Sequence, residues 1–398
     1  MNKLDVFYGR DAVGTLAVVR GGIFFEYAAS FLATGHELAP LALPLGPGIR
    51  SRDSSSSMRL SGLFEDSLPD SWGTRVMDDW FRRQGTPIHS IDPLMRLSFI
   101  GRRAFGALVF APAVGVESER GTLDTVYAAA AGMAEGAPTD LALLADVGTS
   151  PGGARPKAAL WFDASLGEIA HAHDPAHPDA WLVKFDTTAD RGLGRMEYAY
   201  ARMARAAGIE IPEGRLLETR HDDGVRAHFA VRRFDRVGAE RIHYQSLAGL
   251  CQMQGGDLDY QTLLRVTRRI TRDHAEVLKA YRRAVFNVAA SNRDDQGKNH
   301  GFLYSGKEWR LSPAFDLTFT GKGQLRERGM AVMGERRAAG REQLEALARV
   351  EGIDRKDAQA VFDEVHAAVA RWPEFAAAGG MSDREAGEIT VALSASLH

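Results

Sequence analysis

Hydrophobic and polar positions change period along the chain. From Leu4 to Phe25 the apolar residues form short runs, DVFYG and TLAVVRGGIFFEY, broken by glycines that suit turns, so a small sheet is predicted to open the fold. Ser67-Leu68-Pro69-Asp70 then precedes WGTRVMDDWFRRQG. There Val76, Trp80 and Phe81 share a helical face and Gly85 follows the last turn, which predicts one amphipathic helix. Between Asp140 and Arg236 the runs AALWF, WLVKF, GRLLETR and AHFAVRRF read as strands, with one helix, RMEYAYARMARAAG, inserted before the last two. Beyond about Leu247 the period is helical. The clearest segment, DHAEVLKAYRRAVFNVAAS, places Val277, Leu278, Tyr281, Val285 and Val288 on one face, and REQLEALARVEG and DRKDAQAVFDEVHAAVARW continue the pattern. At 398 residues the chain exceeds what one core usually organises, so a bilobal molecule with a cleft is expected.

The charge narrows the partners. With 49 Lys+Arg against 52 Asp+Glu the net charge is −3, which supplies no global attraction to nucleic acid or to an anionic membrane. No apolar run near twenty residues stands at the N-terminus or elsewhere, so neither a signal peptide nor a membrane span is expected and the protein reads as cytoplasmic. The single cysteine, Cys251, lies in an apolar helical context and reads as a structural thiol. The polar stretch 52–57 reads as an exposed loop.

Candidate chemistry concentrates between Asn292 and Asp316. Phosphoryl transfer needs a carboxylate to accept the proton of the acceptor hydroxyl, an amide and a second carboxylate for Mg²⁺, and a cation to balance the phosphates. Asp294 and Asn299 have the spacing D-x-x-x-x-N of a kinase catalytic loop, Gln296 and Lys298 stand between them, and Asp316 follows beyond a short hairpin. A polar turn would also use Asp, Asn and Gly; the pairing with Asp316 favours the chemical reading, and Asp295 is the weaker carboxylate candidate. Upstream, the loop Gly148-Thr149-Ser150-Pro151-Gly152-Gly153-Ala154-Arg155-Pro156-Lys157 resembles a phosphate cradle between β-runs, though it is not a Walker A sequence. Lys184, inside the apolar run WLVKF, reads either as a charge that needs a partner or anionic ligand or as a solvent-facing strand lysine, and Glu197 in the following helix is either the acid placed to pair with it or an exposed helix glutamate. Asp235, beside Phe234 in VRRFDR, falls where a linker between lobes would lie and could contact a ribose or a metal, with a turn aspartate as the alternative. His171, His173 and His177 in HAHDPAHPD lack the spacing of a zinc site and read as an exposed loop. No G-x-S-x-G elbow is present, which removes a serine hydrolase.

The order of these motifs resembles the HipA family of bacterial type II toxin–antitoxin kinases. The landmarks run through most of the chain: VGTLAV, FEDSLPDSWG, DPLMRLSFIGRRAFGAL, GTSPGGARPKA, WLVKF, MEYAYARMARAAGI, FAVRRFDR, SNRDDQGKNHGFLY and LSPAFDL. The resemblance implies an α+β, bilobal protein-kinase-like fold with a β-rich N-terminal part and an all-α C-terminal lobe. Its divisions would be an N-terminal β-rich domain over 1–112, a kinase N-lobe over 113–240 and a C-lobe over 241–398. It implies ATP and Mg²⁺ as cofactors, Asp294 as the catalytic aspartate, Asn299 and Asp316 as Mg²⁺ ligands and Lys184 as the ATP-phosphate lysine. Ser150, Gly152, Gly153, Ala154, Lys157, Phe234, Asp235, Gln296 and Lys298 would complete the ATP site. Ser150, beside Thr149, would be an autophosphorylation site that silences the kinase. Family substrates are aminoacyl-tRNA synthetases, glutamyl- or tryptophanyl-tRNA synthetase in the best-known cases. The implied partner is a HipB-type helix-turn-helix antitoxin, with DNA reached only through it. Two positions depart from relatives: Gln296 stands where some have a histidine, and Arg232 where some have a glutamate. A small-metabolite kinase of the same fold and a non-catalytic corepressor are the alternative readings.

Overall fold

The computed structural model describes residues 1–397 apart from 52–57, 117, 119–120, 148–152, 163–168, 171–176, 189–190, 222–223, 254–257 and 322–324. The N-terminal domain is built on strands β1 (Lys3–Tyr8), β2 (Asp11–Val19), β3 (Gly22–Tyr27), β4 (Ile49–Ser51) and β5 (Leu108–Ala111), in the order β4-β3-β2-β1-β5. The helices among its described residues are α1 (Ala29–Leu32), α2 (Gly62–Glu65), α3 (Ser71–Arg83) and α4 (Pro93–Ile100). The start of α3 is fixed by Asp70, whose carboxylate accepts the Gly73 amide at 2.7 Å. Its buried face carries Val76 and Phe81, while Trp80 is half-buried.

Two helices follow, α5 (Leu123–Glu135) and α6 (Leu141–Val147). The second corrects the strand-like reading of residues after Asp140, because a short apolar run such as LALLADV has no period that separates helix from strand. The second sheet contains β6 (Lys157–Phe162), β7 (Ile169–Ala170), β8 (Asp179–Lys184), β9 (Gly214–His221) and β10 (Gly224–Arg232), ordered β7-β6-β8-β10-β9 and antiparallel throughout. Helix α7 (Leu193–Ala206) lies on this sheet so closely that a Cβ on Gly194 would stand 2.0 Å from the Ala227 carbonyl oxygen. A short β11 (Arg236–Val237) and β12 (Glu240–Arg241) lead into the last lobe.

That lobe holds α8 (Leu247–Cys251), α9 (Tyr260–Thr271), α10 (His274–Ala289), α11 (Arg341–Val350), α12 (Arg355–Ala370), α13 (Trp372–Ala378) and α14 (Asp383–Leu397). Val277, Tyr281 and Val285 of α10 are fully enclosed, each contributing roughly 1.5–3 kcal/mol of apolar burial. The lobe is not all-α. The expected hairpin, β14 (Gly301–Tyr304) and β15 (Trp309–Leu311), is joined by β13 (His243–Ser246) into a three-stranded sheet. Strand β13 pairs with a segment some sixty residues away, and the sequence HYQS carries no local sign of it. Cys251 ends α8 and is partly buried, and burial pushes its thiol up to about 11. Among the described residues no helix is long and apolar enough to cross a membrane.

The N-terminal domain is stitched to both later lobes. A Cβ on Gly62 would meet the Gly249 carbonyl oxygen at 1.7 Å, so α2 and α8 touch backbone to backbone. Next to this contact Asp66 accepts from Ser246 N at 2.7 Å and Ser246 Oγ at 2.6 Å. Burial pushes the Asp66 carboxyl up to about 6, against the Ser246 hydrogen bonds and the Lys298 charge that pull it down. The folded chain therefore holds this proton more tightly than the unfolded chain, whose carboxyl titrates near 3.8. Its contribution to stability is fully present below that value and is lost as the pH rises through about 6. We expect the melting temperature of the wild type, measured against Asp66→Asn, to rise as the pH is lowered from about 7 to about 4. Thermal melts across that interval check it, and a difference that does not change with pH contradicts it.

Candidate active site

The loop after α10 is held by its buried aspartate, not by the exposed one. Ser291, at φ 51°, turns the chain out of the helix, and the Asn292 amide donates to the Asn287 carbonyl at 3.0 Å. Asp295 then accepts from the Tyr260 hydroxyl at 2.7 Å, from Arg328 Nη1 at 2.9 Å and from the Met330 amide at 3.3 Å. This fixes the loop beneath Asp294, which is partly exposed and accepts at Oδ1 from Gln296 Nε2 at 2.6 Å. Gly297 packs closely on the buried Leu258, since a Cβ there would stand 2.4 Å from Leu258 Cδ1 and make that side chain shift. In the single turn Gly297–Asn299, the Asn299 amide nitrogen Nδ2 donates to the Asp294 carbonyl at 2.8 Å. The side-chain nitrogen is thus committed to the loop, and the Asn299 carbonyl oxygen is the end that can face a cation.

Asp316 is delivered by the segment after β15. The Ala314 amide donates to the Glu210 carbonyl at 2.8 Å and Arg283 donates to the Ser312 carbonyl, which tie this segment to its neighbours. Asp316 itself sits at φ 57°, a left-handed conformation that a non-glycine residue keeps only where its surroundings impose it. Its carboxylate pairs with the Lys184 ammonium. Burial pushes the Asp316 carboxyl up, but Lys184 and then Lys157 outweigh it and hold it at about 2. Lys184 also donates to Glu197 Oε2 at 2.6 Å, the pairing expected from the sequence, and Arg155 reaches the other oxygen of Glu197. Burial alone would lower the Lys184 ammonium, and the Asp316 and Glu197 carboxylates raise it above its ordinary value. Lys184 is charged across the physiological range.

A cleft of about 860 Å³ opens beside the Asp294 loop. Its apolar end is walled by Leu182, Val231, Phe234, Phe105, Tyr244 and Phe315, with edge-to-face contacts of 5.3 Å between Phe105 and Phe234 and 4.9 Å between Phe105 and Tyr244. Gly153, Ala154, Asp294, Gln296 and Lys298 line its polar end. A small adjoining cavity of about 50 Å³ is bounded by Lys184, Glu197 and Asp316. Arg232 lines the cleft and pairs with Asp179.

Several sequence-selected residues lie elsewhere. Asp235 is fully buried, clamped by Arg233 at 2.8 Å, Arg236 at 2.6 Å and the Gly106 amide at 2.7 Å, and it does not face the cleft. A carboxylate with every oxygen so engaged has no capacity to hold a ribose or a metal. Lys157 is not itself in the cleft wall but is buried behind it, against Asp70 and Gly153, which are. Thr149, Ser150 and Gly152 lie outside the described residues, as do the serine-rich stretch and His171 and His173; His177 is buried where an exposed loop was expected. Sequence reading missed Phe105, Tyr244 and Asp70. The first two come from segments distant in sequence and carry no motif, while Asp70 reads as a helix cap.

The donor set suits the groups the fold implies. Among the described residues no cluster of three or more His, Cys, Asp or Glu stands ready for a metal. Mg²⁺ takes few protein ligands and completes its shell from water and substrate phosphates, which is what an ionised Asp316 and the Asn299 carbonyl offer. The aromatic end fits a planar base, and Lys184 fits the phosphates.

Fold and cleft define a bilobal, protein-kinase-like molecule extended by an N-terminal domain. A family model for the HipA N-terminal domain matches residues 4–111, and one for the HipA-like C-terminal domain matches residues 149–372. The chain belongs to the HipA family. HipA of Shewanella oneidensis, solved as a toxin–antitoxin complex with HipB and operator DNA, superposes with a TM-score of 0.73 at 17% identity, covering 99% of this chain and 95% of that one. Two proteins of Sinorhizobium fredii, Y4dM and Y4mE, each named as a candidate kinase, are 28% identical over 153 and 145 residues. Those matches cover 35% and 32% of this chain and span 37% and 33% of the length of the relatives.

The adjacent aspartates separate structure from chemistry. We expect Asp295→Ala to cost about 3–5 kcal/mol, because it leaves the buried Arg328 without its carboxylate, while Asp294→Ala leaves stability nearly unchanged. Denaturant unfolding of both variants checks this, and equal losses would contradict it.

Proposed function

We propose that this chain is an ATP- and Mg²⁺-dependent serine/threonine protein kinase of the HipA toxin type. The observation that carries the reading is Lys184, which bridges Glu197 of α7 and Asp316 beyond the hairpin, beside a loop presenting Asp294 and Asn299. This is the arrangement phosphoryl transfer uses: a strand lysine oriented by a helix glutamate, a metal-binding aspartate, and a loop carboxylate with an amide. In this reading Asp294 orients the acceptor hydroxyl and takes its proton. Asn299 and Asp316 hold the cation, and Lys184 with Lys157 holds the phosphates. Bound Mg²⁺ would neutralise charge that develops between the phosphoryl groups. Phe234, Phe105 and Phe315 enclose the base, and Gly153, Ala154, Gln296 and Lys298 border the triphosphate.

The acceptor we infer is a protein hydroxyl, with an aminoacyl-tRNA synthetase, glutamyl or tryptophanyl, as the family's kind of target. The partner we infer is a HipB-like helix-turn-helix antitoxin, since the Shewanella relative was solved with HipB and operator DNA. A net charge of −3 suits a chain that reaches DNA through such a partner. We further propose that the kinase modifies its own Gly-rich loop at Ser150 or Thr149. An added phosphate of nearly two negative charges would repel the nucleotide and weaken its binding.

Asp294→Ala and Asp316→Ala should each lower phosphoryl transfer by at least about a hundredfold, the first by loss of the proton acceptor and the second by loss of a metal ligand. Transfer of radiolabel from ATP onto protein in a cell lysate reads this, and a labelled small molecule in place of protein would favour a metabolite kinase. Titration calorimetry should show nucleotide affinity falling in EDTA. For the loop, incubation with ATP followed by mass spectrometry should place phosphate between residues 149 and 157. Phosphate found only elsewhere contradicts that part of the reading.

A further inference from the structure

Lys157 of β6 and Lys184 of β8 stand directly opposite each other across an antiparallel pair. Both are buried, with side-chain exposures of 1% and 8%. Like charges in that position repel, so the sheet tolerates them only with anions close by. For Lys184 the fixed anion is Glu197, on a helix of the same lobe. For Lys157 it is Asp70, which belongs to the N-terminal domain.

Asp70 is held in place from two sides. Its Oδ1 accepts the Gly73 amide and so caps α3, while its Oδ2 accepts from the Lys157 ammonium. The next residue but one, Trp72, donates from Nε1 to the Lys157 carbonyl at 3.0 Å, so the helix start grips the lysine at its backbone as well as its tip. A Cβ on Gly153, at φ 88°, would lie 2.8 Å from Lys157 Nζ, so the ammonium rests against the Gly-rich loop at a residue whose backbone favours glycine. Asp70 and Gly153 both line the cleft that contains Asp294. Burial lowers the Lys157 ammonium and raises the Asp70 carboxyl, more than their mutual attraction opposes. Such a pair costs the fold stability, and its place directly behind the cleft wall formed by Asp70 and Gly153 points to use toward a bound anion.

We propose that Asp70 is a positioning residue for the nucleotide: it holds the Lys157 ammonium at the phosphate end of the cleft as Glu197 holds Lys184, so that the N-terminal domain completes the phosphate site. The proposal rests on the nucleotide reading of the cleft. An ammonium has three N–H donors and can face a phosphate while it stays on its carboxylate. Asp70→Asn keeps the helix cap, because asparagine caps as well as aspartate, and removes the charge that the lysine touches.

The test is calorimetric binding of the non-hydrolysable analogue AMP-PNP with Mg²⁺, and of adenosine, to the full chain as wild type, Lys184→Met, Lys157→Met, Asp70→Asn and the Asp70→Asn/Lys157→Met double variant. Asp70→Asn should weaken AMP-PNP by about tenfold and leave adenosine unchanged, and the double variant should be no weaker than Lys157→Met, since interacting residues are non-additive. A merely structural role would move both ligands together. AMP-PNP affinity that is unchanged or tighter in Asp70→Asn, with the wild type preferring AMP-PNP to adenosine and Lys184→Met losing that preference, overturns this proposal alone. A wild type that shows no preference for AMP-PNP removes the nucleotide reading and this proposal with it.

Discussion

Two lysines buried opposite each other on neighbouring strands are the constraint on which the rest of the structure turns. Lys157 and Lys184 cannot both keep a charge away from water unless carboxylates come to them, and the chain brings three from three regions. Asp70 arrives on the first domain, Glu197 on the helix that crosses the second sheet, and Asp316 on the segment beyond the last hairpin. Each needs its own local device: a helix cap for Asp70, a glycine at 194 that lets α7 approach the sheet, and a left-handed backbone at 316. The charge cluster is therefore one place where all three parts of the molecule meet.

The same division between holding and acting recurs around the cleft. Asp295 and Asp294 are neighbours, yet one is enclosed by Tyr260, Arg328 and the Met330 amide while the other faces the cleft. Asp235 and Phe234 repeat the pattern at the junction of the lobes. The aspartate binds Arg233 and Arg236, Arg236 reaches the Gly106 carbonyl at 2.9 Å, and the loop so anchored carries Phe105 into the aromatic wall. In both places a buried ionic clamp fixes the backbone and an adjacent side chain is left to meet a ligand.

Local pattern made much of this legible in the sequence. Strands β8 to β10 and helices α3, α7 and α10 follow from period and caps alone, and the D-x-x-x-x-N spacing with a later aspartate singles out Asp294, Asn299 and Asp316. What escaped was non-local. Strand β13 exists through pairing with β14, Phe105 reaches the cleft through arginines over a hundred residues away, and Asp70 looks like an ordinary cap until its second oxygen is seen on Lys157. Asp235 misled for the same reason, since a turn aspartate and a buried clamp are written with the same letter. Periodicity reports which face of an element is buried, but it carries no record of what lies across the gap.

Glu197 shows how the parts are joined. One oxygen receives Lys184 and the other receives Arg155 of the Gly-rich loop, so strand and loop share a single carboxylate at the floor of the site. An anion that competed with Glu197 for Arg155 would leave this carboxylate to Lys184 alone. The reverse also holds. A group that draws Lys184 away from Glu197 would leave the carboxylate to Arg155. Coupling of this kind needs no large movement, because the charges are buried, adjacent and already in contact.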